Sequence, residues 1–384
     1  MSSLRGINRR GFVGGLATAL GGSALIAEQL SAQSLSGRVL AEVSNSFNLS
    51  PAPVWLNANE YPEGPPDTSI TSMRTALSES NRYHYDEFDS YYGMLADSLQ
   101  LKSDNLLLGA GSSEVLHCAV EAFVSGDRPY ITSWPSFEMG PELAAAKGYP
   151  VIKVPLTRDY SADVQALAAA ASRAGGGLIY ICNPNNPTSS LTSPKDIRWL
   201  LENLPSATNL LIDEAYIHFA ELAEPDTALK LVREGSNIIV LRTFSKIYGM
   251  AGLRVGFAAA PPALIKRMTP YRNNVISIIS VRAVQAALSL GPKLIEERRS
   301  RIVQTRNGFI SWCRKNQFKY IEPHANFVMI ETGRQVREVI SKLIAKGIVP
   351  GRPFPPYDTM LRVTIGKEAD MLRFADTFAE VLSN

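Results

Sequence analysis

Cysteine is scarce in this 384-residue chain. Cys118, Cys182 and Cys313 are odd in number and far apart, which argues against a disulfide framework and against a cysteine-built metal site. Histidine is nearly as scarce, and His84, His117, His218 and His324 show no ligand spacing, so no metal is expected. Neither sign of charge dominates: 39 basic against 36 acidic side chains leave a formal net charge of +3, too little to draw nucleic acid or an anionic membrane surface. No basic stripe with interleaved aromatics and no internal repeat is present. What remains, 45 % hydrophobic and 20 % charged, is ordinary for a soluble globular protein and long enough for two domains.

The first thirty or so residues differ in texture. Asn8-Arg9-Arg10-Gly11-Phe12-Val13 precedes an uncharged, Gly- and Ala-rich stretch from Gly14 to Ala27. Paired arginines ahead of a weakly hydrophobic run have the layout of a twin-arginine export signal. The stretch is short and glycine-rich for a membrane-spanning helix. Cleavage after Ala27 or Ala32 would put leucine at the third position back, which leaves an uncleaved anchor open. The expectation is export to the periplasm with the twin-arginine translocase as partner, residues 1–33 being the signal.

Beyond a polar linker, Trp55-Leu-Asn-Ala-Asn-Glu-Tyr-Pro62 is extended between prolines, and Asn81-Arg82-Tyr83-His84-Tyr85 is an aromatic-rich loop. From Asn105 the pattern becomes strand, turn, helix: Leu106–Leu108, then Gly109-Ala-Gly-Ser-Ser113, then Glu114–Phe123. Such a turn aims backbone N–H groups at an anion, although a plain helix cap by Ser112 or Ser113 reads equally well. Strands at 130–133, 151–154, 177–182, 209–213 and 238–241 then alternate with helices at 137–147, 162–173 and 197–204. This predicts a mostly parallel sheet covered on both faces, with ligands beyond the carboxyl ends of the strands. After Pro261 come two long helices, 277–290 and 292–316. Strands at 318–321, 326–330 and 360–365 with helices at 336–346 and 369–382 then form a compact α+β unit. The expected divisions are an arm over 34–70, a large domain over 71–268 and a small one over 269–384.

Three clusters fall at the ends of predicted strands. Asn183-Pro-Asn-Asn-Pro-Thr188 is a rigid turn able to hold an amide towards the sheet. Asp213-Glu-Ala-Tyr216 ends an apolar strand, where a buried Asp213 would need a cation, a protonated pyridine nitrogen being one; a helix cap is the plainer reading. Arg242-Thr-Phe-Ser-Lys246 follows another apolar run, with Arg254 beyond a Gly-rich turn. Lys246 could form a Schiff base while Thr243, Ser245 and Arg254 hold a phosphate, and neighbouring positive charge would lower the lysine pKa. Alone, it could be a solvated loop lysine. Arg362, between apolar residues of a strand, suits bidentate capture of a carboxylate or simply faces solvent.

Together these motifs resemble the fold-type-I pyridoxal-phosphate enzymes, most closely the histidinol-phosphate aminotransferases, from Trp55 through to Leu361-Arg-Val-Thr-Ile-Gly366. The resemblance implies an aspartate-aminotransferase-like α/β fold, with a large domain on a mostly parallel seven-stranded sheet and a small C-terminal α+β domain. It implies pyridoxal 5'-phosphate held by Lys246, with Asp213 on the pyridine nitrogen and Tyr216 and Asn186 on the phenolic oxygen. Phe137 stands where a tyrosine usually stacks on the ring. Ala110, Gly111, Ser112, Thr243, Ser245 and Arg254 would hold the phosphate, with Tyr83 reaching over from the second subunit of a homodimer. Arg362 would clamp the substrate, lined by Arg352, Asn59 and Tyr61. The implied reaction is transamination between histidinol phosphate, or a related amino acid or amine, and a 2-oxo acid such as 2-oxoglutarate. The alternatives are decarboxylation of a phospho-amino acid and a non-catalytic ligand-binding role. Ser189 departs from the glycine usual after Asn-Pro-Thr, and export fits poorly with a cytoplasmic biosynthetic substrate.

Overall fold

In a computed structural model of the chain, residues 52–221, 227–273 and 275–383 are described. The paired arginines Arg9 and Arg10 and the apolar stretch after them lie outside these residues. Among the described residues no single helix is long and apolar enough to cross a membrane.

The strands are β1 (Val54–Leu56), β2 (Leu106–Gly109), β3 (Tyr130–Trp134), β4 (Val151–Pro155), β5 (Gly177–Cys182), β6 (Thr208–Asp213), β7 (Ile238–Thr243), β8 (Gly256–Ala259), β9 (Phe327–Glu331), β10 (Ile348–Pro350) and β11 (Met360–Thr364). Seven of them form one sheet in the order β2-β8-β7-β6-β5-β3-β4. Only β8 runs against the others, antiparallel to both β7 and β2. Every residue of β5, β6 and β7 is buried, as expected for parallel strands covered on both faces. Their side chains divide with period two. Leu178, Tyr180, Leu211, Ile239 and Leu241 pack into one core, while Ile179, Ile181, Leu210, Ile212, Ile238 and Val240 pack into the other. Each such aliphatic side chain contributes roughly 1.5–3 kcal/mol on burial, so the sheet is a rigid mount for whatever its ends carry.

The helices between strands start and stop on local signals. Helix Val164–Ala174 begins where the Asp163 carboxylate accepts from the Ala166 N–H at 2.9 Å, and it ends at Gly175 with φ of 71°. Helix Pro194–Glu202 opens with Ser193 as its cap and proline in the first turn.

Register places the site. Cys182 lies opposite Asp213, and Asp213 opposite Leu241, so the segments leaving β5, β6 and β7 emerge side by side. Two small sheets complete the architecture: β1 pairs in parallel with β10, and β9 pairs antiparallel with β11. Strand β10 escaped the sequence reading, since Ile348–Pro350 is only three residues long. The strand expected at 318–321 reduces to a single bridge between Tyr320 and Ile330. The helix expected from Phe137 starts at Met139, which leaves Phe137 in the turn before it.

Candidate active site

The ends of β5, β6 and β7 surround a cavity of about 320 Å³ lined by Phe137, Asn186, Asp213, Tyr216, Thr243, Ser245, Lys246, Arg254, Ser112 and Ser113, among others. Its anion-binding end is built from three segments. Helix Ser112–Phe123 begins at Gly111 with no side-chain cap, so its first backbone N–H groups have no intrahelical acceptor. The Arg254 guanidinium donates to Ser113 Oγ at 3.1 Å and to Ser245 Oγ at 3.3 Å. Thr243 and Ser245 hydroxyls are joined at 2.8 Å. Gly111 has φ of +84°, and any Cβ there would collide with the Arg254 guanidinium, so glycine is needed for the cradle to close. Ala110 is engaged differently from the expectation. Its N–H donates to Glu114 Oε2 at 2.6 Å, so it supports the turn rather than a ligand. The Gly111 N–H likewise donates to the Gly109 carbonyl at 2.8 Å. Ser113, read from the sequence only as a possible helix cap, is the hydroxyl that accepts from Arg254 beside Ser112.

Asp213, 4 % exposed, also lines the cavity. Its carboxylate accepts from the Tyr180 hydroxyl at 3.0 Å and the Ala215 N–H at 3.0 Å. Both partners are neutral, and burial pushes its pKa up to about 6. A buried carboxylate without a cationic partner is the complement of a protonated ring nitrogen.

Lys246 lines the same cavity. Its Nζ donates to the Ala58 carbonyl at 2.9 Å and stands 5.4 Å from the centre of the Tyr216 ring. Burial, followed by repulsion from Arg362 and Arg254, lowers its pKa to about 8, while Glu60 and Asp213 pull the other way. The Tyr216 hydroxyl accepts from the Asn59 side chain at 3.2 Å, and its ring meets Phe327 edge-on.

Asn59 is a keystone of the substrate side. It adopts φ of 54°, a conformation asparagine tolerates better than most residues. Thr364 holds it there, accepting from its N–H at 2.9 Å and donating to its Oδ1 at 3.1 Å. Arg362 is buried and donates to Asn186 Oδ1 at 2.5 Å and the Asn57 carbonyl at 2.6 Å, while its Nε has no partner among the described residues. Burial brings its pKa down to about 10. Arg352 forms an ion pair with Glu138.

Two expected residues stand apart within this chain. Tyr61 lines a separate cavity of about 490 Å³ with Phe309 and Trp312, its ring beneath the Arg298 guanidinium at 4.4 Å. Tyr83 is 67 % exposed and stacks on Tyr85 at 5.2 Å.

The cofactor site therefore fits pyridoxal phosphate on three counts: an anion cradle that requires Gly111, a buried carboxylate with no hydrogen-bonded cation among the described residues, and an amine of lowered pKa lining the same cavity. Comparison with known proteins agrees. The profile of the family described as Aminotransferase class I and II matches residues 51–378. A histidinol-phosphate aminotransferase of Moorella thermoacetica is 32 % identical over 359 residues, covering 90 % of each chain. An aromatic amino acid aminotransferase of Rhodococcus jostii is 31 % identical, covering 87 % of this chain and 93 % of that one. Among solved structures, histidinol-phosphate aminotransferase from Sinorhizobium meliloti in complex with pyridoxal-5'-phosphate superposes with a TM-score of 0.80 at 26 % identity, covering 86 % of this chain and 91 % of that one.

Proposed function

Since the chain belongs to the class I and II aminotransferases, and is a pyridoxal-phosphate-dependent transaminase of that family, we propose that its amino donor is histidinol phosphate or a related amino acid, with 2-oxoglutarate as acceptor. The observation that carries this is Arg362, a buried guanidinium whose only hydrogen-bond partners among the described residues are neutral oxygens. A substrate anion is its natural third partner.

When bound, pyridoxal phosphate supplies an electron sink for the bonds at the substrate's Cα. The chain's residues do the rest. Ser113, Ser245, Arg254 and the open N-terminus of helix Ser112–Phe123 would hold the phosphate. Asp213 would keep the ring nitrogen protonated, and Asn186 and Tyr216, which line the same cavity, would bond the phenolic oxygen. Lys246, with a pKa near 8, exists substantially as free amine at mildly alkaline pH and can take a proton at Nζ and return it. Arg362 sets the substrate's orientation, and with it the Cα bond that breaks.

Replacing Arg362 by Ala is expected to lower kcat/KM for histidinol phosphate, phenylalanine and glutamate alike, by about ten- to a hundredfold each, the worth of a charge-assisted hydrogen bond. Donor-dependent formation of glutamate from 2-oxoglutarate is the assay. Release of carbon dioxide in place of the oxo product would favour a decarboxylase instead.

The reading includes a homodimer. Its support is the exposed Tyr83–Tyr85 stack on a loop pinned by Arg282, which donates to both Glu79 and Glu87 at 2.6–3.0 Å. A stacked aromatic pair held rigidly in solvent is suited to a second copy of this chain. Export of the folded enzyme is also proposed, on the strength of Arg9 and Arg10. An Arg9→Lys, Arg10→Lys double variant should keep its activity in the cytoplasm; activity still recovered from the periplasmic fraction would remove the proposal.

A further inference from the structure

Arg352 and Arg362 stack on one ring, Phe354, their guanidinium carbons 4.1 and 4.5 Å from its centre. Their other partners differ in charge. Arg362 donates only to neutral oxygens, those of Asn186 and Asn57. Arg352 donates to the Glu138 carboxylate and to the Pro353 carbonyl at 3.0 Å. Glu138 directly follows Phe137, which lines the cofactor cavity, and immediately precedes helix Met139–Ala146. The Arg352 and Glu138 side chains are 35 % and 22 % exposed, so the pair, placed through Glu138 next in sequence to the cavity-lining Phe137, is partly withdrawn from water. One turn further on, burial and the neighbouring Glu138 charge raise the pKa of Glu142, so two carboxylates stand close together here.

We propose that Glu138 determines specificity: by pairing with Arg352 it leaves Arg362, among the described residues, as the guanidinium at the substrate face without a carboxylate partner, so that the site favours an amino donor bearing a single carboxylate over one bearing a phosphate. This rests on the transaminase reading above and, of the donors named there, selects the amino acid over histidinol phosphate. A phosphate near neutral pH carries a charge of about −1.5 to −2 and takes several charge-assisted hydrogen bonds. To answer it, Arg352 must leave Glu138, and the carboxylate then stands unpaired beside the incoming anion, which disfavours the phosphorylated donor twice over.

The test is Glu138→Gln in the pyridoxal-phosphate-loaded enzyme, since glutamine keeps the shape and loses the charge. The ratio of kcat/KM for histidinol phosphate to that for phenylalanine, both with 2-oxoglutarate, should rise about ten- to a hundredfold. Inorganic phosphate titrated calorimetrically into the loaded enzyme, whose cofactor already fills the Arg254 cradle, should bind the variant more tightly by a similar factor. Adding Arg352→Gln should cancel both gains. An unchanged ratio, an equal loss with both donors, or a gain that survives the double variant would each overturn the role of Glu138. Should the wild-type enzyme turn over neither donor, the donor reading falls, and the phosphate titration still decides whether Glu138 withholds Arg352.

Discussion

Lys246→Ala is expected to lower transamination by about 10⁴-fold or more, because general acid–base transfer alone contributes about 10²–10⁴ and the covalent tether of the cofactor is lost with it. Among the described residues that line the cavity the other cation is Arg254, with Arg362 bonded to the lining Asn186, and guanidinium groups stay protonated, so neither can substitute. Borohydride treatment of wild-type protein should fix a pyridoxyl group on Lys246, found by peptide mass, and the variant should show none. A reduced adduct on a different lysine would overturn the assignment. The same variant interrogates the dimer. Mixed with Tyr83→Ala subunits, it should regenerate sites that combine Lys246 of one protomer with Tyr83 of its partner, about a quarter of all sites after random exchange in a twofold assembly. Activity no higher than that of the Tyr83→Ala parent, once exchange is verified, would refute a shared site.

Asp213→Asn should move two properties in opposite directions. In the cofactor-free protein the folded state raises the Asp213 pKa from 3.8 to about 6, so folding is opposed wherever the side chain must be ionised. That cost is absent below about pH 4, grows through the interval up to pH 6 and is complete above it, reaching roughly 3 kcal/mol. The cofactor-free variant should therefore melt several degrees higher than wild type at pH 7.5 and at nearly the same temperature at pH 4. The loaded enzyme should behave the other way. Removing one member of a buried charge pair costs about 2–5 kcal/mol, so cofactor affinity and turnover should drop by about 10²–10³-fold. Asparagine can keep both contacts, its Oδ1 accepting from the Ala215 N–H and its Nδ2 donating to the Tyr180 oxygen, which separates loss of charge from loss of structure. If calorimetry finds the cofactor-free variant less stable at pH 7.5, the uncompensated-charge account is wrong.

How much of this was legible in the chain depends on distance along it. Asp213 and Lys246 end or follow unbroken apolar runs, and a polar residue at such a place must lie where a buried strand meets the surface of the sheet. The Asn183–Thr188 turn was readable for the same reason. Glu138 was not, because its meaning comes from Arg352, 214 positions later, and no local pattern joins them. Tyr180 read as one more core aromatic of β5, and only the register with β6 turns its hydroxyl to Asp213. Thr364 was within reach, since alternation places it on the same strand face as Arg362. Strand β10 is too short to show a period, and it exists through its pairing with β1, nearly 300 residues upstream.

That last pairing has a bearing on how the enzyme is made. The carbonyls that receive Lys246 and Arg362, those of Ala58 and Asn57, belong to a strap leaving β1. Its docking partners, β10, Thr364 and Asn326, leave the ribosome long after it, Asn326 lying 267 and Thr364 305 positions downstream of Asn59. A nascent chain that has emerged only as far as β8 owns the whole seven-stranded sheet, the Arg254 cradle and Asp213, yet its reactive amine faces an open cleft. Cofactor captured during translation would meet a half-walled site. Firm retention waits for the later segments, when the strap after β1 and the β9–β11 region close on each other.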